Sequence, residues 1–250
     1  MTILTFIGYT EAVICLAALG FLVVKGLWRD YWALGSFLAV RLTINLGLTL
    51  LSRNAGQIGT RTAYQFYFYV YWAGFALESV LALFILYGVF RLTLEPLKGL
   101  QKVGSLVILL ASAIGVVLAL LSTSLTATSG TRYLIAAISQ LQRSESLLTL
   151  GVLAFVLLAV RFAGVSGASK IFGVSLGLGV MAINDLAQSK WLAFHPNMHS
   201  ASSVINGIVI CAILLLWTAY LAWPEPERGE IDSRSPLLRW NRTCLAWYGM

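Results

Sequence analysis

The sequence has little charge for its length. Only 11% of its 250 residues are Asp, Glu, Lys or Arg, and 59% are hydrophobic, whereas a soluble domain has about 25% charged residues. This composition excludes an ordinary water-soluble domain and predicts a protein whose solvent is lipid. The net charge of +7 does not indicate a nucleic acid partner, because the basic residues are scattered at the ends of apolar runs.

Residues that hold metals and cofactors are also scarce. The three cysteines, Cys15, Cys211 and Cys244, are too few and too scattered for a disulfide framework or a zinc site. Both histidines, His195 and His199, stand in the HPNMH loop sequence and not within an apolar run. The sequence therefore predicts no metal site and no cofactor.

Two familiar intramembrane activities lack their residues. A retinal Schiff base needs a lysine deep in the last helix, but all five lysines, 25, 98, 102, 170 and 190, fall at the ends of apolar runs or in loops. The GVSGAS sequence at 164–169 is similar to the GxSG motif of rhomboid proteases. Its Ser166 and a candidate base, His199, are predicted on opposite sides of a membrane, about 30 Å apart, so a hydrogen bond between them is excluded. We therefore predict that the protein is not an enzyme.

Long apolar runs dominate what is present. Crossing the hydrocarbon takes about 20 mostly apolar residues in a helix, and the runs are too long and too continuous for membrane strands. The fold class predicted is all-α, a polytopic bundle of seven transmembrane helices that forms one domain over residues 1–223. The predicted spans are 3–24, 31–52, 63–90, 103–122, 144–163, 169–189 and 200–223.

Lysine and arginine are distributed unevenly between the two sides of this bundle. If the N-terminus is outside, the outer side holds only Arg53, Arg61, Arg132 and Lys190. The inner side then holds many more: Lys25, Arg29, Arg91, Lys98, Lys102, Arg161, Lys170, Arg228, Arg234, Arg239 and Arg242. Because positive residues favour the cytoplasmic side, we predict an N-out, C-in topology.

The 27 residues after Trp223 form a short cytoplasmic tail. It opens with PEPERGEIDSRS, which mixes both charge signs and predicts disorder, and closes with LLRWNRTCLAWYGM, which is typical of an interfacial segment. The tail at 224–250 is too short for a kinase, cyclase or binding domain, so any signalling output must lie on a partner.

Polar and ionisable residues interrupt six of the seven spans at similar depth, mostly in the outer half. Such residues are costly in a membrane and mark a functional site by default. We expect Glu78 to pair with Arg41 on the preceding helix, since consecutive helices usually pack together. The cluster is either an ion-pair network that fixes helix register or a ligand or proton site, and it comprises Glu11, Arg41, Asn45, Glu78, Arg143, Glu145, Asn184, Asp185 and Asn206.

The stretch YQFYFYVYW at 64–72 is unusually rich in aromatic residues. One interpretation is an aromatic belt at the outer membrane interface. The other is the wall of a ligand pocket, formed by Tyr67, Tyr71 and Trp72. The run holds more aromatic residues than a belt needs, so both interpretations stay open.

Two spacing patterns concern helix packing. Gly173 and Gly177 have GxxxG spacing, which favours close helix approach within the bundle or at a dimer face. Spans one to three also align weakly with spans five to seven, which matches Glu11 with Glu145 and Glu78 with Asn206. This similarity is compatible with a 3+1+3 parallel repeat of the SWEET type, although SWEET helices contain prolines and no proline lies within a span here.

Several segments resemble one family. YVYWAGFALESVLALFILYGVFR, LQRSESLLTLGVLAF and FGVSLGLGV are similar to segments of a family of bacterial seven-span membrane proteins to which no activity is assigned. The resemblance covers most of the chain, most clearly from the third to the sixth span. It implies the topology and a bacterial origin, and it implies no site.

The function expected from the sequence is that of a non-enzymatic sensor or accessory subunit with a polar site in the outer half of the bundle. The alternative is a small-solute or proton-coupled transporter that uses the same residues. The expected partners are the lipid bilayer, a small polar ligand or a proton, and either another membrane protein or a second copy of this chain. The expected location is the bacterial inner membrane.

Overall fold

All regular secondary structure in the computed structural model is helical over the part of the chain that it describes. The helices are α1 (Ile3–Val24), α2 (Trp32–Arg53), α3 (Thr60–Thr93), α4 (Lys98–Ser124), α5 (Lys170–Phe194), α6 (His199–Ala222) and α7 (Pro236–Trp247). The residues described are 3–53, 59–124, 140, 142–151, 153–154, 169–194, 199–226 and 236–247.

Six helices, α1 to α6, are long and apolar enough to cross a membrane. This confirms a helical, multi-pass membrane protein, and six of the predicted spans coincide with α1 to α6 to within a few residues at each end. Residues 142–151 are also helical and coincide with the start of the predicted span 144–163, whose end lies outside the described residues. The count of seven spans stays a prediction, as does the 3+1+3 repeat.

Helices are the expected form because a backbone in lipid must satisfy its own hydrogen bonds. Their ends follow local chemistry. Gly26 follows α1 with a φ of 64°, a left-handed conformation that favours glycine. Ser169 precedes α5, and its hydroxyl accepts a hydrogen bond from the Phe172 backbone N–H at 3.2 Å, as an N-cap residue does.

Five helices pack into a closed ring in the order α1, α2, α3, α5 and α6, with α6 again beside α1. Neighbours within the ring run antiparallel, except α1 and α6, which run parallel: Ile7 lies beside Gly207 at one end and the Lys25 ammonium donates to the Ala222 carbonyl at the other. We call the end where α1 begins the N-terminal end of the bundle. Helix α4 packs on the outside of α3.

The main apolar core fills the ring toward the end opposite the N-terminal end. Phe37, Leu38 and Trp217 are at most 1% exposed. The Phe37 and Trp217 rings meet edge to face with centroids 5.9 Å apart, and the Trp217 indole N–H donates to the Val174 carbonyl at 3.3 Å. Side chains from all five ring helices join this core, so the ring is solid at this level.

The GxxxG glycines belong to this internal packing. A Cβ added to Gly177 would lie 2.1 Å from the Trp217 indole nitrogen, and one added to Gly173 would lie 2.1 Å from the Tyr220 ring. Both rings belong to α6, which therefore approaches α5 closely only because these positions lack side chains. The prediction of close packing inside the bundle is confirmed.

Helix α7, in the tail, packs against α4. The Asn241 side-chain oxygen accepts hydrogen bonds from the backbone N–H groups of Gly99, at 2.8 Å, and Leu100, at 3.2 Å. These N–H groups lie in the first turn of α4 and have no partner within that helix, so the tail supplies the helix cap. Residues 227–235, where disorder is predicted, lie outside the described part of the chain.

Candidate functional site

A layer of three charged side chains crosses the ring above the apolar core. The Arg41 Nε donates to Glu11 Oε1 at 2.5 Å, and its Nη1 donates to Glu78 Oε2 at 2.7 Å. All three side chains are 12–14% exposed, and Phe37, one helical turn from Arg41, places its ring 6.0 Å from the guanidinium carbon. The predicted pairing of Glu78 with Arg41 is therefore present, and Glu11 is a second partner that the sequence interpretation did not assign.

Two further contacts join helices toward the N-terminal end. The Asn45 amide donates to the Gly8 carbonyl at 3.2 Å, which links α2 to α1. The Asn184 amide donates to the Asn206 side-chain oxygen at 2.7 Å, which links α5 to α6. Gln188 and Ser202 continue this second contact, because Gln188 donates to Asn184 and accepts from Ser202.

The helical segment 142–151 contributes a third polar group. Glu145 is only 3% exposed, and its carboxyl accepts a hydrogen bond from the Thr149 hydroxyl at 3.0 Å. Asp185, on α5, is hydrogen-bonded by the Gln142 side chain and lies near enough to Glu145 for their charges to interact. The two acids thus lie near one another where the segment meets α5.

These groups surround a cavity of about 630 Å³. Its volume lies within the range of small-molecule sites, roughly 300–1,000 Å³. Eight residues of the predicted polar cluster line it, and the ninth, Asn184, stands behind the wall, bonded to Asn206. The eight are Glu11, Arg41, Asn45, Glu78, Arg143, Glu145, Asp185 and Asn206.

The cavity reaches the N-terminal end of the bundle. Its lining there comes from the beginning of α1 at Ile7, the second half of α2 at Leu48, the outer part of α5 at Gln188 and the beginning of α6 at Ser203. In the opposite direction the lining stops at the charged layer. Beneath that layer lies the apolar core, in which Leu38 and Trp217 are fully buried.

The aromatic stretch of α3 divides between two faces of the helix. Tyr67, Tyr71 and Phe75, spaced four residues apart, line the cavity together with Trp72. The rings of Tyr67 and Tyr71 stack 6.3 Å apart, and those of Tyr71 and Phe75 stack 6.2 Å apart. The opposite face carries Phe66 and Tyr69, which are 57% and 56% exposed. Tyr67, Tyr71 and Trp72, the three predicted wall residues, thus line the cavity. The belt interpretation fits the exposed aromatic residues on the opposite face.

Arg143 differs from the rest of the predicted cluster. Its residue is exposed, although it lines the cavity, and no ion pair involves it among the residues with described side chains. It therefore lies near the mouth, and Arg41 is the cation that pairs with acids at depth.

Sequence reasoning missed several polar residues of the cavity wall. Gln142, Ser146 and Gln188 lie near the ends of predicted spans, where polar residues are expected and carry little information. Helical spacing could have identified two of these residues. Gln188 lies four residues after Asn184, and Gln142 lies three before Glu145, so each shares a face with a residue of the predicted cluster.

A second hollow, of about 930 Å³, lies outside the ring between α2, α3 and α4. Its floor is apolar, and its charged residues are confined to the rim at the end opposite the cavity: Arg29, Asp30, Arg91, Glu95, Lys98 and Lys102. Trp32 and Phe84, which meet there at 5.7 Å, are 49% and 47% exposed. An apolar hollow with exposed aromatic side chains is typical of a surface that faces lipid. The first cavity differs, because it brings polar groups together inside the ring.

Comparison with known proteins gives no relative for this site. No protein-family model matches the chain, and no curated protein and no solved structure is detectably similar to it.

Proposed function

We propose that the protein is a non-enzymatic membrane protein, a sensor or accessory subunit, that binds a small polar ligand in the cavity from one side of the membrane. The observation that carries this proposal is the asymmetry of the ring. The cavity reaches the N-terminal end, and a packed apolar core closes the other end beneath Arg41.

This asymmetry favours a receptor over a transporter. A transporter must expose its site to each side in turn, usually by rocking one set of helices against another. Here the core beneath the site unites α1, α2, α3, α5 and α6, and it includes Trp217 interlocked with Gly177 of α5. Opening a path through it would separate close-packed surfaces along several helices at once.

The proposed setting is a bacterial inner membrane with the N-terminal end outside. The surplus of Lys and Arg at the opposite end supports this orientation. The helix directions support seven crossings, because α4 runs toward the N-terminal end, α5 starts at the opposite end, and the described residues 142–151 between them are helical.

A bound ligand has a structural route to the rest of the molecule. The cavity wall holds residues of α1, α2, α3, α5 and α6, so a ligand that prefers one arrangement of these helices shifts the population toward that arrangement. The exposed apolar face of α4 and the tail helix α7 are the surfaces available to a partner at the membrane. Leu106, Leu109 and Ile114 of that face are 49–61% exposed.

Proton flux in liposomes tests the proposal against the transporter alternative. The purified protein is reconstituted with a trapped pH-sensitive dye, and a proton gradient is imposed across the vesicle membrane. We predict no proton flux beyond that of protein-free vesicles. A protein-dependent flux that Glu78→Gln abolishes would replace the receptor with a proton-coupled transporter.

A further inference from the structure

The cavity holds more acid than base. Glu11, Glu78, Glu145 and Asp185 line it, against Arg41 and Arg143. Arg41 already serves both Glu11 and Glu78 through separate nitrogen atoms, and Arg143 lies exposed near the mouth. The surplus of negative charge therefore falls on the other two acids.

Neutral groups alone hydrogen-bond Glu145 and Asp185 among the contacts of the described residues. Glu145 accepts from the Thr149 hydroxyl, and Asp185 from the Gln142 amide. The two carboxyls are also close enough to repel one another when both are ionised. Glu145 is buried and Asp185 is half-buried, and a cation placed between or beside two such acids relieves their repulsion.

Ser146 provides an independent sign of a missing ligand. Its hydroxyl oxygen is fully buried on the cavity wall and has no hydrogen-bond partner among the described residues. Serines in helices normally bond the carbonyl four residues earlier, as Ser79 bonds Phe75 at 3.1 Å and Ser175 bonds Ile171 at 2.6 Å. Burying an unsatisfied hydroxyl is costly, and a ligand in the cavity supplies the missing partner.

The aromatic wall stands beside the same acids. Tyr71 lies near Asp185 and Glu78, and its ring is stacked between those of Tyr67 and Phe75. Trp72 lies against Tyr71 and Phe75 at right angles. Aromatic faces attract amines and quaternary ammonium groups, and the attraction is stronger when the cation is desolvated.

We infer that the cavity binds a small organic cation, an amine or a quaternary ammonium compound, with the charge at Glu145 and Asp185 and the apolar part against Tyr67, Tyr71 and Trp72. This inference rests on the proposed function and names the ligand class of the same site. An anion meets no spare cation at depth, because Arg41 is already paired twice. A neutral solute leaves the acid pair uncompensated.

Matched probes separate charge from shape. Choline and 3,3-dimethylbutan-1-ol have nearly the same shape, but only choline is charged; tetraethylammonium and putrescine extend the panel. Binding to the full chain in nanodiscs is measured by titration calorimetry. We expect at least one of the three cations to bind and the neutral alcohol to bind at least ten-fold more weakly than choline.

Variants locate the binding. Glu145→Gln, Asp185→Asn and Trp72→Leu should each weaken cation binding at least ten-fold, whereas Glu95→Gln and Trp223→Leu, at the opposite end, should leave it unchanged. Trp72→Leu keeps the test valid if an acid variant fails to fold. No binding by any cation of the panel, equal binding of choline and the alcohol, or full affinity in all three cavity variants would overturn the inference.

Failure of the inferred ligand class can be distinguished from failure of the proposed function. Access to the cavity from one side is measured by thiol labelling without any cation. If thiols in the cavity are labelled from one side only but no cation binds, the inferred ligand class is wrong and the proposed one-sided receptor is retained. Cation binding together with cation flux across liposomes would keep the ligand class and remove the receptor.

Discussion

Arg41 lies between two acids on different helices, with one nitrogen atom on Glu11 of α1 and another on Glu78 of α3. A charge at the centre of a membrane helix costs about 2.5–3.5 kcal/mol on insertion scales, and this arrangement spreads one cation over two carboxylates. It ties three ring helices together at one depth and forms the bottom of the cavity. The layer is therefore both the floor of the site and a structural clamp.

The first prediction concerns the unequal roles of the three members. Arg41→Met leaves two acids without their cation and should lower the free energy of unfolding by roughly 3–5 kcal/mol, the usual cost of breaking a buried pair. Glu78→Gln should cost less, because Glu11 still neutralises Arg41. The triple variant Arg41→Met, Glu11→Gln, Glu78→Gln should recover much of the loss, measured by unfolding in mixed micelles.

A matched control for that series is the Lys170–Glu225 pair at the opposite end. Its N–O distance is 2.8 Å, and although the Lys170 side chain is only 6% exposed, that of Glu225 is 44% exposed, so water screens this pair more than it screens the charged layer. Glu225→Gln should therefore cost less stability than Arg41→Met. Equal losses in Arg41→Met and Glu78→Gln, with no recovery in the triple variant, would show that the layer does not act as one unit.

The second prediction concerns the close approach of α5 and α6. Gly177→Ala should lower stability by about 1–3 kcal/mol, the cost of overpacking, because its Cβ would collide with the Trp217 indole. Gly20→Ala is the control: a Cβ there meets nothing within 4 Å, and alanine is the better helix former by about 1 kcal/mol. Equal effects of the two substitutions on thermal unfolding would refute the packing argument.

The third prediction concerns the tail. Asn241→Ala removes the side-chain cap of α4 and should cost about 1 kcal/mol, with faster amide hydrogen exchange at Gly99 and Leu100 and in α7. Asn241→Asp keeps the acceptor oxygen and adds a negative charge that suits a helix N-terminus, so protection should be retained. Unchanged exchange in Asn241→Ala would mean that the tail does not cap α4.

The fourth prediction concerns topology. Reporter fusions at Gly56 and Ser129 should report the outside of the cell, and fusions at Lys98 and Arg234 the inside. The basis is the Lys and Arg distribution together with an odd number of crossings. An outside signal at Arg234 would reverse the orientation and place the cavity mouth on the cytoplasmic side.

Much of the fold was predictable because hydropathy sets helix position along the chain. Glu78 and Arg41 were paired correctly because adjacent helices pack together and both residues stand alone among apolar neighbours. Glu11 was not assigned to Arg41, since each predicted helix end is uncertain by a few residues at 1.5 Å per residue. That error exceeds the reach of a salt bridge.

The cavity itself was not predictable from sequence. Polar residues inside the membrane indicate a site. Whether their side chains bond one another completely or surround a cavity depends on the packing of the large side chains around them. Here Phe37 and Trp217 fill one half of the ring, whereas Tyr67 and Tyr71 form a wall on the other side of the charged layer. Hydropathy patterns do not distinguish these two outcomes.

Thiol labelling at the cavity wall shows from which side of the membrane the cavity is reached. In a background with Cys15, Cys211 and Cys244 changed to Ala, the variants Asn45→Cys and Ser203→Cys place a thiol in the cavity, and Glu95→Cys places one at the opposite end. A membrane-impermeant cationic methanethiosulfonate is added to vesicles of each orientation. We predict labelling at positions 45 and 203 only from the side of the N-terminal end, and at position 95 only from the other side. Labelling of position 45 from both sides would contradict an access path closed by the apolar core.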